Sequence, residues 1–155
     1  MLIRLLGLVL KLCFRAKVRG LDNLPAVSEP GVIVCNHVSC IDALVLLALL
    51  PDELHFVIRG SAGRLLPRLA SVSAVESDAQ LRDVIRSLKD TRKRIVVFAE
   101  AVPSSSGRIA KVDALAATLA DRLAGSCYIP VAISGTEIGL FAGNRWQIGR
   151  WLPQI

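Results

Sequence analysis

The sequence predicts an α/β fold, a largely parallel (mixed) sheet flanked by helices, with an amphipathic helix at its N-terminus. Three observations predict it. Short continuous apolar runs recur along the chain and read as buried strands. Helical spacing fills the intervals between them. The 155 residues, 53% of them hydrophobic and 21% charged, suit one domain with a sizeable core.

The elements follow in order. Residues 1–14 (MLIRLLGLVLKLCF) are apolar but broken by Arg4 and Lys11. The run is short of the roughly 20 apolar residues that a membrane span needs. It also lacks the cationic head and small-residue cleavage site of a signal peptide. As a helix it places Arg4, Lys11 and Arg15 near one face, with Leu5, Leu6, Val9, Leu12 and Cys13 over much of the rest. Such a helix lies in a lipid interface while its basic side chains snorkel to phosphates; the plainer expectation is a first helix packed on the protein's own core. Residues 32–35 (VIVC), after Pro30-Gly31, read as the first strand. Residues 42–50 read as a helix that stops before Pro51, and 55–58 (HFVI) as the second strand. Residues 61–70 read as helical, with Pro67 at a kink or break. Leu81, Val84, Ile85 and Leu88 give helical spacing across 77–89. Residues 95–98 (IVVF) read as the third strand, 103–107 (PSSSG) as a loop, 112–124 as an alanine-rich helix and 128–133 (YIPVAI) as the fourth strand.

The net charge of +6 is unevenly placed. Residues 1–20 carry five basic groups and no acid, and the remaining 135 residues are nearly balanced. A nucleic-acid binder usually spreads a basic face across its fold. Charge gathered on an apolar N-terminal segment points instead to an anionic membrane surface. The expected division is therefore an interfacial helix over 1–20 and an α/β domain over 21–155.

Cys13, Cys35, Cys40 and Cys127 form no CxxC pair, so free thiols in a reducing compartment are expected. Cys35, His37 and Cys40 make a C-x-H-x-x-C cluster, but the chain offers no second ligand pair of the kind a zinc site uses, and no metal is expected.

Parallel sheets place their sites at the carboxyl ends of strands. Three strands here end in chemically able residues: Asn36-His37, Arg59 and Glu100. His37 and Asp42 stand five apart, the His just past a strand and the Asp in the first turn of a helix. Asp42 reaching back to His37 would fix its tautomer and support the cation formed as it takes a proton, making a general base for a hydroxyl. The spacing Ser39-x-x-Asp42 equally fits a capping box, in which Asp42 needs no other partner.

At these residues the chain resembles a known family. Asn36-His37-Val38-Ser39-Cys40-Ile41-Asp42 is similar to the NHxSxxD block of the glycerophospholipid (1-acylglycerol-3-phosphate) acyltransferases. Residues 55–59 (HFVIR), Phe98-Ala99-Glu100 and 129–133 (IPVAI) resemble the family's later blocks, in order. Residues 98–111 most resemble the acyltransferase domain of the bifunctional acyl-carrier-protein synthetase/2-acylglycerophosphoethanolamine acyltransferase.

The resemblance implies a transferase that moves a fatty acyl group from a thioester of coenzyme A or acyl carrier protein to a lysophospholipid hydroxyl. It implies no metal or organic cofactor. It casts His37 as base and Asp42 as its orienting partner, with Asn36, Ser39, Arg59 and Glu100 at the acceptor. It implies a peripheral enzyme on the cytoplasmic side of the cell membrane. The third block departs from the pattern. Ala99 and Ala101 replace Pro and Gly, and Val102 stands where the family has arginine. Arg108 and Lys111 are the nearby residues able to supply the lost charge to a phosphate. The chain also ends, at 151–155 (WLPQI), where the family continues, so C-terminal truncation is expected. The alternative expectation is a catalytically lapsed relative that binds lipid or acyl carrier protein.

Overall fold

In the computed structural model, residues 2–13, 15–24, 31–39, 41–51, 53–60, 66–88, 93–104, 111–123 and 127–136 are described. The sheet has five strands, ordered β3-β2-β4-β1-β5. They are β1 (Gly31–Cys35), β2 (Leu54–Arg59), β3 (Ser71–Val75), β4 (Arg94–Phe98) and β5 (Cys127–Val131). Every neighbouring pair of strands is parallel, and outside the strands an isolated antiparallel bridge joins Glu100 and Val112. Four of the strands are those the apolar runs mark. The fifth, β3, is short and reads SVSAV. It pairs on one side with β2, so its serines need not be apolar. They instead meet His55, whose ring nitrogens lie 2.8 Å from Ser71 Oγ and 2.9 Å from Ser73 Oγ.

β4 lies at the centre and is buried throughout, which is why it reads as unbroken apolar sequence after Arg94. Alternate residues feed two layers. Val32, Val57, Ile95 and Val97 pack with Leu81, Ile85 and Leu88 of α4 (Asp78–Leu88) and Leu115 and Leu119 of α5 (Ala114–Arg122). Ile33, Phe56, Val96 and Phe98 pack with Ala43 and Leu46 of α2 (Asp42–Leu49). Helical structure within 61–70 is described only for α3 (Leu66–Leu69), whose Pro67 sits in the first turn, where a missing N–H is tolerated. Residues 61–65 lie outside the described residues, as does the chain end at 151–155.

α1 (Leu2–Cys13) packs on α2. Gly7 makes the close approach: a Cβ there would stand 2.4 Å from the Ala48 carbonyl oxygen. Leu5, Leu8, Val9 and Leu12 follow i, i+3, i+4, i+7 spacing on the face opposite Gly7, and all four are exposed. The helix thus packs on the domain through one face and leaves an apolar stripe on the other. No helix among the described residues is long and apolar enough to cross a membrane.

Candidate active site

The carboxyl ends of β1, β2 and β4 surround a cavity of about 470 Å³. His37, Arg59, Glu100 and Asp113 supply its charged and titratable lining, and Val57, Ile58, Leu66, Phe98 and Val102 are among its apolar walls.

His37 follows β1 and is held from three sides. Its ring stacks on Phe98 of β4, with centroids 4.2 Å apart and planes 20° from parallel. Its backbone N–H donates to Glu100 Oε2 at 2.9 Å, and its carbonyl accepts from the Ser104 N–H at 2.7 Å. Burial lowers its pKa below the ordinary 6.5, more strongly than the nearby Asp42 and Glu100 carboxylates and backbone carbonyls raise it. The imidazole is therefore neutral at neutral pH, the state a base requires.

Asp42 is fully buried, and its carboxylate is taken up by other donors. Oδ2 accepts from the Val38 and Ser39 N–H groups, both at 2.8 Å, and Oδ1 accepts from Thr136 Oγ1 at 2.6 Å. His37 Nδ1 is buried with no hydrogen-bond partner among the described residues. The expected Asp42–His37 hydrogen bond is thus replaced by a carboxylate that builds the turn on which His37 sits and acts on the ring through its charge. Half of the capping box is present. Asp42 returns to the Ser39 N–H, but its own N–H goes to the Ser39 carbonyl at 3.1 Å, and Ile41 is the cap residue.

Two residues assigned to the acceptor take structural places. The Asn36 amide donates to the Ile133 carbonyl at 2.8 Å and accepts from its N–H at 2.7 Å, so both ends are spent joining β1 to the chain beyond β5. Ser39 is buried in the Asp42 turn, and neither residue lines the cavity. Lys111 is exposed and also outside the lining, and Arg108 falls outside the described residues. Glu100 is buried and fixes the His37 main chain.

Arg59 lines the cavity, where Asp113 holds it by two bonds: Nε to Oδ2 at 2.6 Å and Nη2 to Oδ1 at 2.9 Å. These hydrogen bonds raise the Arg59 pKa and lower that of Asp113. Sequence reasoning missed Asp113 and Thr136. An Asp directly before an alanine-rich helix is an N-cap signal, and Asp113 does cap α5 by accepting from the Leu115 N–H at 2.8 Å. Thr136 carried no local signal, because its partner is 94 positions away.

Of the C-x-H-x-x-C cluster, the Cys35 thiol is buried and its pKa is pushed up to about 12, chiefly by desolvation and then by Asp42. Burial thus favours its neutral thiol form. Cys40 lies outside the described residues.

A family model described as Acyltransferase matches residues 15–134. Among solved structures the chain is similar to the 1-acyl-sn-glycerophosphate (LPA) acyltransferase, PlsC, from Thermotoga maritima, at 25% sequence identity and a TM-score of 0.67. The match covers 83% of this chain and 53% of that one, so the chain spans about half the length of the solved protein. No sequence among the curated proteins matches it significantly.

Proposed function

This chain belongs to the acyltransferase family, and we propose that it moves a fatty acyl group from a thioester of coenzyme A or acyl carrier protein to the free hydroxyl of a lysophospholipid. The observation that carries the reading is the place of His37, whose imidazole stacks on Phe98 and lines the cavity at the strand ends.

With Nδ1 buried, Nε2 is the nitrogen left to meet a substrate hydroxyl. Nε2 takes the hydroxyl proton as the oxygen attacks the thioester carbonyl. The tetrahedral intermediate then collapses, the C–S bond breaks, and the leaving sulfur takes the proton back. The Asp42 charge, fixed beside the ring, favours the transient imidazolium. Glu100 holds the His37 main chain in place, and Arg59 is a cation for the acceptor's phosphate, which must take its fork over from Asp113. The chemistry asks for no metal and no organic cofactor.

The exposed apolar stripe of α1 and the basic N-terminal segment support docking on an anionic membrane surface. The free thiols Cys35 and Cys127 fit a reducing compartment, hence the cytoplasmic face of the cell membrane. Within the family, the likeness of residues 98–111 to the bifunctional acyl-carrier-protein synthetase member makes acyl carrier protein a donor to be tested beside coenzyme A.

The test is acyl transfer from both thioester classes to a panel of lysophospholipids, with His37→Ala as control. Turnover is expected from the wild type and a loss of at least about 100-fold from the variant, the lower range for a positioned base. Wild-type turnover in His37→Ala would remove His37 as base. Lipid binding without turnover by either protein would favour the lapsed-relative reading.

A further inference from the structure

Arg59, the cation among the described residues that line the cavity, already has an anionic partner. Asp113 engages its guanidinium through both oxygens, the forked geometry a phosphate would use. Asp113 is itself anchored. Oδ1 accepts the Leu115 N–H at 2.8 Å, and its own N–H donates to the Ala99 carbonyl at 2.7 Å. Its side chain is 11% exposed, against 39% for Arg59. Of the two, the arginine is the member able to swing.

The charge around the cavity follows. Among the described lining residues, Arg59 is the cation and Glu100 and Asp113 are carboxylates. Lys111 also acts on Asp113, but from an exposed place outside the lining. A phosphomonoester brings nearly two negative charges. It must displace Asp113 from the guanidinium and then remain beside it. A phosphodiester brings one charge, and the ammonium or hydroxyl of its headgroup offers a donor to the displaced Asp113.

We propose that Asp113 is a specificity-determining residue, which neutralises Arg59 and so selects lysophospholipids with a phosphodiester headgroup over phosphomonoester acceptors. The inference rests on the acyl-transfer reading above and adds the acceptor class. Asp113 acts through Arg59 and is a positioning residue.

The experiment compares kcat/KM of the full chain for lysophosphatidylethanolamine and lysophosphatidic acid of one acyl length, in mixed micelles. The wild type is expected to favour the phosphodiester. Asp113→Asn and Asp113→Ser both keep a side chain able to cap α5, so both are expected to fold, as a thermal melt checks. Each should narrow the preference by about tenfold, mainly through a lower KM for the phosphomonoester, as removal of a like charge and of an ion-pair competitor predicts. In an Arg59→Gln background the same substitutions should move the ratio less, because the ion-pair competition is gone and only the like-charge repulsion is left to remove. A wild-type preference for the phosphomonoester overturns the proposal, and so does a ratio indifferent to Asp113 in the folded variants. If neither variant folds, Arg59→Lys, which keeps the cation but cannot make the fork to Asp113, is read in their place: it should narrow the preference likewise, and an unmoved ratio overturns the proposal. Equilibrium binding of both lysolipids to His37→Ala reads the same preference without turnover. A binding ratio that shifts with Asp113 while nothing is acylated keeps this inference and removes the transferase reading. Acylation with an unmoved ratio does the reverse.

Discussion

His37 is pulled two ways. Burial disfavours its cation, while the Asp42 and Glu100 carboxylates favour it, and burial prevails. A base must be neutral to act, so the acid limb of kcat/KM against pH should fall with a midpoint below 6.5, the unperturbed value. The sign for stability agrees. The folded pKa lies below the unfolded one, so the His37 contribution is fully present above pH 6.5 and declines as pH drops toward the folded value. A pH–rate profile with an acid-limb midpoint above 6.5 would contradict the burial argument. The places of Arg59, His37 and Glu100 were legible as strand ends or the residues just past them, and that of Asp42 as the first turn of a helix. Their partners were less so. The bond from Thr136 to Asp42 and the Asn36–Ile133 clasp are tertiary contacts with no local pattern. Asn36 and Ser39 sit inside the motif, which made them look like ligand contacts, yet their polar atoms serve the backbone.

The elements were legible where one physical cue was enough. β1, β2 and β4 are sheet-interior strands and show as apolar runs, and the spacing of Leu81, Val84, Ile85 and Leu88 marks α4. β3 escaped because an edge strand with one paired side tolerates serines, and its cross-strand partner is a histidine. α1 shows how a contact can oppose a propensity. Gly7→Leu should strengthen the isolated helix by nearly 1 kcal/mol. In the protein the new side chain meets the Ala48 carbonyl and must push α1 off α2, a loss of about 1–3 kcal/mol. Hydrogen exchange over residues 2–13 should therefore quicken in the variant. Slower exchange would mean that α1 does not dock through Gly7.

For the molecule as a whole, charge and apolar exposure are gathered in the same place. Five basic residues and no acid occupy the first 20 positions, and α1 leaves Leu5, Leu8, Val9 and Leu12 uncovered. The protein should therefore partition onto anionic vesicles in sedimentation assays and do so less as salt rises. Leu8→Asp with Leu12→Asp should weaken that partitioning by at least about tenfold, since burying each leucine is worth roughly 1.5–3 kcal/mol. Equal binding to neutral and anionic vesicles would remove the electrostatic part. The strand order has a different consequence, which concerns time. Among the described strands β1 pairs with β4 and β5, so it waits some sixty residues for a neighbour, while β2 and β3 zip together from adjacent sequence. The turn that carries His37 waits longer still, because Ile133 and Thr136 close it. A nascent chain halted before residue 127 would hold the imidazole and its aromatic support but leave one flank of β1 bare. Of the described fold, the turn that carries His37 is thus among the later parts to close as the chain is made.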